Sequence, residues 1–144
     1  MPACTFFGHH DCPSSIKPKL RDTLIDLIEN QSVDMFYVGN RGAFDWLVRS
    51  VLRELVQEYP LINYAVVLER MPGKQNDDYP EDFSNTMLPE GIEEAPPRFA
   101  IVWRNKWMLS LSDYVVTYIT HSWGGAAQFA EMAERQQKTV INLA

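Results

Sequence analysis

The sequence is poor in the residues that staple or anchor a protein. Cysteine occurs twice, as Cys4 and Cys12, and two thiols make neither a disulfide framework nor a four-ligand zinc pattern. No apolar run approaches the ~20 residues of a membrane-spanning helix. The longest, around Phe99–Trp103 and Tyr114–Ile119, are far shorter. Met1-Pro2-Ala3-Cys4 lacks the basic stretch that opens a secretory signal, so a cytoplasmic location is expected. Positive charge is also short: thirteen Lys and Arg face nineteen Asp and Glu, a net charge of −6. That balance opposes broad electrostatic attraction to nucleic acid or anionic lipid, so neither is expected as a partner. Walker, G-x-G-x-x-G, G-x-S-x-G and H-E-x-x-H motifs are missing, as are internal repeats.

What is present suffices for a core. Of 144 residues, 46% are apolar and 12% aromatic, as expected of one globular domain over residues 1–144. The charge is unevenly placed. Residues 71–97 hold seven acids against one base, Lys74, so the rest of the chain balances at twelve of each. The same segment holds five of the nine prolines. Proline at that density blocks ladders and helices, so 71–97 reads as one long excursion, either a functional lid or a solvated insertion.

Hydrophobic periods alternate through the remainder. Thr5-Phe6-Phe7 reads as a strand ended by Gly8. Ile16, Leu20, Leu24, Leu27 and Ile28 make an amphipathic helix after the possible caps Ser14 and Ser15. Met35–Val38 is a strand ended by Gly39, and Phe44–Tyr59 carries the cleanest helical stripe. Tyr64–Leu68 is a continuous apolar strand, the pattern of a strand covered on both faces. Beyond the excursion, Phe99–Leu109 is predicted as a helix, Tyr114–Ile119 as a strand, Ala126–Gln137 as a helix and Val140–Leu143 as a closing strand. The expected fold is therefore α/β, a three-layer Rossmann-like sandwich around a mostly parallel sheet of about five strands.

In such sheets ligands sit beyond the carboxyl ends of the strands, and five of seven glycines fall there: Gly8, Gly39, Gly42, Gly124 and Gly125. They either make turns or let backbone approach a ligand. His121-Ser122-Trp123-Gly124-Gly125-Ala126, between strand and helix, offers consecutive N–H groups at a helix N-terminus, a setting for phosphate. Gly39-Asn40-Arg41-Gly42 enters the next helix, whose first turn holds Asp45. That acid serves either the helix dipole or a ribose or base. His9, His10, Asp11 and Cys12 invite a metal, but adjacent side chains leaving a strand diverge; no metal and no cofactor are expected. Cys12 becomes a nucleophile only beside a base. Arg104 and Asn105 form a polar cluster between Trp103 and Trp107, and Arg98 lies seven residues from Asn105, on the same helical face. Arg104 reads either as a phosphate or base contact or as an arginine snorkelling from a helix flank.

Taken together, Gly8-His9, Val38-Gly39-Asn40 with Gly42-Ala43-Phe44-Asp45, Pro89-Glu90-Gly91-Ile92-Glu93, Arg104-Asn105 with Trp107-Met108, Ser112–Val116 and Gly124-Gly125-Ala126 are collinear motifs over nearly the whole chain. This set resembles the YpsA-like family of the SLOG (SMF/DprA-LOG) superfamily. The resemblance implies a Rossmann-like fold binding a nucleotide or nucleotide-derived ligand such as an ADP-ribose-type molecule, and association through helices into a homo-oligomer, here near Trp103 and Trp107. It also implies an alternative, LOG-like phosphoribohydrolase activity on a nucleoside monophosphate. The LOG loop P-G-G-x-G-T-x-E-E is matched at Gly124 and Gly125. Ala130 stands where the first, catalytic glutamate belongs, and only Glu131 keeps the second place. Arg104, Glu93 and Glu131 are the remaining catalytic candidates. Binding thus survives the comparison better than catalysis, and a protein-interaction module built on the acidic excursion is a third reading.

Overall fold

The alternation of apolar strands and amphipathic helices folds into a parallel sheet covered on both sides. The computed structural model describes residues 2–70 and 85–144. In chain order it comprises β1 (Ala3–Gly8), α1 (Lys17–Gln31), β2 (Met35–Val38), α2 (Gly42–Glu58), β3 (Asn63–Val67), β4 (Thr86–Met87), α3 (Ala100–Ser110), β5 (Tyr114–Tyr118), α4 (Gly125–Arg135) and β6 (Thr139–Asn142). The strands lie in the order β4-β3-β2-β1-β5-β6, every pairing parallel.

The two-residue period of a strand explains the three layers. Cys4, Phe6, Phe36, Val38, Val66 and Val116 join one core with Leu20 and Leu24 of α1 and Val48, Leu52 and Leu55 of α2. One position along each strand, Phe7, Val67 and Val115 join a second core with Met108 and Leu109 of α3 and Phe129 and Ala133 of α4. Strands buried on both faces have no polar side to show, hence their unbroken apolar runs. Among the described residues no helix is long and apolar enough to cross a membrane.

The structure corrects four local expectations. The sheet has six strands, not five, because Thr86–Met87 adds an edge strand inside the supposedly irregular excursion. Leu68 N–H donates to Met87 O at 2.9 Å, and no proline falls within this short ladder, which needs pairing on one side only. Residues 71–84, with most of the acidic excursion, lie outside the described residues. Ser14 and Ser15 do not cap α1; they form a 3₁₀ turn, and the helix starts with Pro18 in its first turn. α4 begins one residue early, at Gly125. Arg98 lies before α3, in a 3₁₀ turn with its guanidinium 4.8 Å from the Phe99 ring centre, rather than along a shared helical face with Asn105.

The strand order places the site. From β1 the chain steps outward through β2, β3 and β4, then returns to the other side of β1 with β5. The winding reverses between β1 and β5, and a crevice opens at the carboxyl ends of strands flanking such a reversal.

Candidate functional site

β1 and β5 end side by side, with Gly8 opposite Tyr118. Beyond them lies a cleft of about 410 Å³, within the ~300–1,000 Å³ common for small-molecule sites. Two walls of different chemistry enclose it.

The first wall is the β5–α4 loop. Thr120 N–H donates to His9 Nε2 at 3.0 Å, so the His9 ring is neutral and carries its proton on Nδ1. His9 stacks on His121 (ring centres 3.8 Å apart), and His121 stacks in turn on Trp123 (3.9 Å). The His121 Nδ1–H donates to the Trp123 carbonyl at 3.0 Å. Asn142, at the end of β6, clasps Ile119 from both sides, accepting from its N–H at 2.9 Å and donating to its carbonyl at 3.0 Å. Gly124 follows with φ +96°, a conformation that favours glycine, and then α4 begins. No atom outside the chain neighbours lies within 4 Å of where a Cβ would stand on Gly124 or Gly125, so the helix N-terminus faces open space.

Burial pushes the His9 imidazolium pKa below its ordinary value of 6.5, with His121 and His10 adding to the shift and Asp11 opposing it. A base with a depressed folded pKa contributes stability that is complete above its unfolded pKa. That contribution is lost as pH falls through the folded pKa, because the unfolded chain takes the proton first. Between about pH 8 and about pH 5 the melting temperature should therefore fall more steeply in the wild type than in His9→Gln. Parallel curves would remove His9 from this role.

The second wall is a buried ionic network. Arg104 Nη1 donates to Asn40 Oδ1 at 2.8 Å and to Glu69 Oε2 at 3.3 Å, while Nε and Nη2 reach Asn105 Oδ1 at 3.2 Å. Glu69 also accepts from Arg41 Nε at 3.2 Å and Nη2 at 2.8 Å. Asp45 accepts the Arg41 backbone N–H at 2.9 Å. Burial pushes the Asp45 carboxyl up from the ordinary range, against the pull of Arg104 and of that N–H. Gly39 makes the network possible, since a Cβ there would stand 2.7 Å from Asp45 Oδ2 and 3.0 Å from the Arg104 guanidinium.

The cleft thus brings together Gly8, His9, Gly39, Asp45, Arg104, Asn105, His121, Gly124, Gly125 and Ala126. Asn40 lies buried behind Arg104, its Nδ2 without a partner among the described residues, and Gly42 opens α2 against His10. The catalytic candidates separate. Arg104 lines the cleft, whereas Glu93 is exposed in a 3₁₀ turn and Glu131 is exposed on α4, 3.9 Å from Arg135; neither lines it. Burial and Asp11 push the Cys12 thiol up to about 11, and burial raises Cys4 as well. Neither is a ready thiolate at neutral pH. Among the described residues no three His, Cys, Asp or Glu side chains converge on a point that would hold a metal.

Sequence reasoning passed over Glu69 and Asn142, and it placed Trp123 in the glycine turn without giving it a role. An acid directly after an unbroken apolar strand was the available signal for Glu69; the roles of the other two became visible only through their partners.

No protein-family model matches the chain, and no curated protein matches it by sequence. The solved structures similar to it include these two. One is DNA processing protein A (DprA) from Streptococcus pneumoniae, with 14% identity and a TM-score of 0.70 over 99% of this chain and 50% of that one. The other is DNA processing protein A from Helicobacter pylori, a structure concerned with its single-stranded DNA binding mode. It has 14% identity and a TM-score of 0.63 over 98% of this chain and 64% of that one. The chain therefore spans half of one relative and under two thirds of the other. The expectation that acidity rules out a nucleic acid partner is corrected by this likeness, since a protein of the same fold binds single-stranded DNA. The physical reason is that net charge sums the whole chain, and here residues 71–97 carry all of the −6. Strand binding depends instead on local stacking and groove charge. The chain shares the Rossmann-like α/β fold of DprA, and at 14% identity it is the fold alone that is shared.

Proposed function

We propose that the cleft binds a nucleotide or a nucleotide-derived ligand such as an ADP-ribose-type molecule, as a YpsA-like SLOG protein of the cytoplasm would. The carrying observation is the open N-terminus of α4 at the winding reversal. The N–H groups of Gly125, Ala126 and Ala127 have no intrahelical acceptor, and the space above Gly124 and Gly125 is clear. That is the setting in which backbone N–H groups and the helix dipole take a phosphate. Asp45 and Asn105, on the opposite wall, suit hydroxyl groups of a ribose. Arg104 is engaged with Asn40, Asn105 and Glu69, so its part is to supply positive potential rather than a free contact. A nucleotide within a single strand presents the same groups, which is how the DNA binding of H. pylori DprA bears on this chain. The phosphoribohydrolase alternative has less support, because Glu93 and Glu131 stand away from the cleft; release of free base from a nucleoside monophosphate would favour it. The interaction-module reading rests on the excursion, most of which lies outside the described residues.

Adenosine monophosphate at ~100 times its dissociation constant should stabilise the fold by about 2.7 kcal/mol, raising the melting temperature by roughly 5–10 °C. Gly125→Asp should weaken that binding at least ~tenfold, because the carboxylate occupies the anion's place. Gly125 does not have a positive φ, and its Cβ would meet nothing within 4 Å. The unliganded fold should therefore change by no more than ~0.5 kcal/mol. Undiminished affinity in a folded Gly125→Asp protein would place the site elsewhere.

A further inference from the structure

The ring column beside the cleft ends at the surface. His9 is 7% exposed, His121 is half-buried and Trp123 is 69% exposed. The Trp123 indole lies nearly parallel to His121, 17° between planes. No other ring or guanidinium is recorded against it among the described residues, which leaves its outer face to solvent. An exposed tryptophan is ordinarily free to turn, but this indole rests on a ring that is itself tied down. His121 is tied to the Trp123 carbonyl, and Thr120 to His9. A platform ordered in advance spends less on immobilisation when a planar ligand lands on it.

We propose that Trp123 is a stacking platform for a nucleobase, which extends the His9–His121–Trp123 column by one more ring. The phosphate of the same nucleotide then reaches the N–H groups of Gly125 and Ala126, with only Gly124 between platform and cradle. Aromatic stacking accepts any base, since every base has a π-face. The inference rests on the nucleotide reading above and gives it an orientation, with the base at the column and the sugar toward Asp45.

Calorimetric titration of the wild type, Trp123→Ala and Trp123→Phe tests it, using adenosine monophosphate and ribose 5-phosphate as probes. Trp123→Ala should weaken adenosine monophosphate about tenfold or more and leave ribose 5-phosphate unchanged, while Trp123→Phe stays within about threefold of the wild type. A short oligodeoxyadenylate, bound by the wild type and lost in Trp123→Ala, would support the platform with a single strand as the source of the base. If Trp123→Ala binds adenosine monophosphate as tightly as the wild type while Gly125→Asp does not, the cradle stands and the platform is overturned. If neither adenosine monophosphate nor the oligonucleotide binds the wild type, the nucleotide reading fails and the platform with it.

Discussion

Glu69→Ala is expected to cost about 3–5 kcal/mol of folding stability, as removal of one partner from a buried ion pair commonly does. For a chain of this length the melting temperature should fall by roughly 10–20 °C. The carboxylate is 3% exposed and bridges Arg41 and the equally buried Arg104. Without it the Arg104 guanidinium keeps the side-chain oxygens of Asn40 and Asn105 but loses its ion pair with Glu69 in a low-dielectric setting. Glu69→Gln keeps the side chain's volume and one acceptor oxygen, enough for one of the two arginines, and should cost less than the alanine variant. Chemical denaturation of the two variants would decide the point. A loss below ~1 kcal/mol for Glu69→Ala would show that the network is not what braces this wall of the cleft.

A single methyl group at the end of β1 should be the next most damaging change. In Gly8→Ala the added Cβ would stand 2.3 Å from Cδ2, 2.4 Å from Cγ and 2.9 Å from Cβ of Phe44. Phe44 is fully buried in the first turn of α2 and packs against Phe6, ring centres 6.5 Å apart. Two of the clashing atoms belong to the near part of the ring system and one to its stem, so rotation of the ring alone cannot relieve the overlap. Either α2 shifts from β1 or the core distorts, at the upper end of the overpacking range, about 3 kcal/mol. Phe44→Ala in the same chain removes the two nearest clashing atoms, Cδ2 and Cγ. The double variant should lose clearly less than the sum of the two single losses, although Phe44→Ala by itself costs about 3–5 kcal/mol. Strictly additive losses would mean that the two positions do not meet in this way. Gly8 thus has a packing duty at the point where β1 passes under α2, in addition to its place on the cleft.

How much was legible beforehand follows from the range over which each signal acts. Local periodicity marked the strands Met35–Val38 and Tyr114–Tyr118 and the long stripe of α2, because burial on one helical face or on both strand faces writes itself into neighbouring residues. The same alternation of strands and helices was enough for a parallel α/β sheet and for the clustering of glycines at its carboxyl edge. Thr86–Met87 escaped notice because two residues are too few to show a period and prolines crowd the surrounding sequence. The nucleic acid exclusion failed for a related reason: total charge averages over the chain, while recognition is local.

The cleft itself was only partly written in the chain. Gly39, Asp45, Arg104 and the Gly124-Gly125 turn stood out as residue types at strand ends and helix starts, without any indication of how they are paired. That Arg104 is held by Asn40, Asn105 and Glu69, and that His9, His121 and Trp123 form one column, depends on contacts between residues up to 112 positions apart in the chain. Sequence by itself determined the elements other than β4, their order and the edge on which the polar and glycine residues collect, since those follow from hydrophobic period and turn chemistry within a few residues. Tertiary structure alone decided which of those side chains are already engaged and which face open space, because the parallel crossovers bring β1, β2, β3 and β5 together only when the sheet closes.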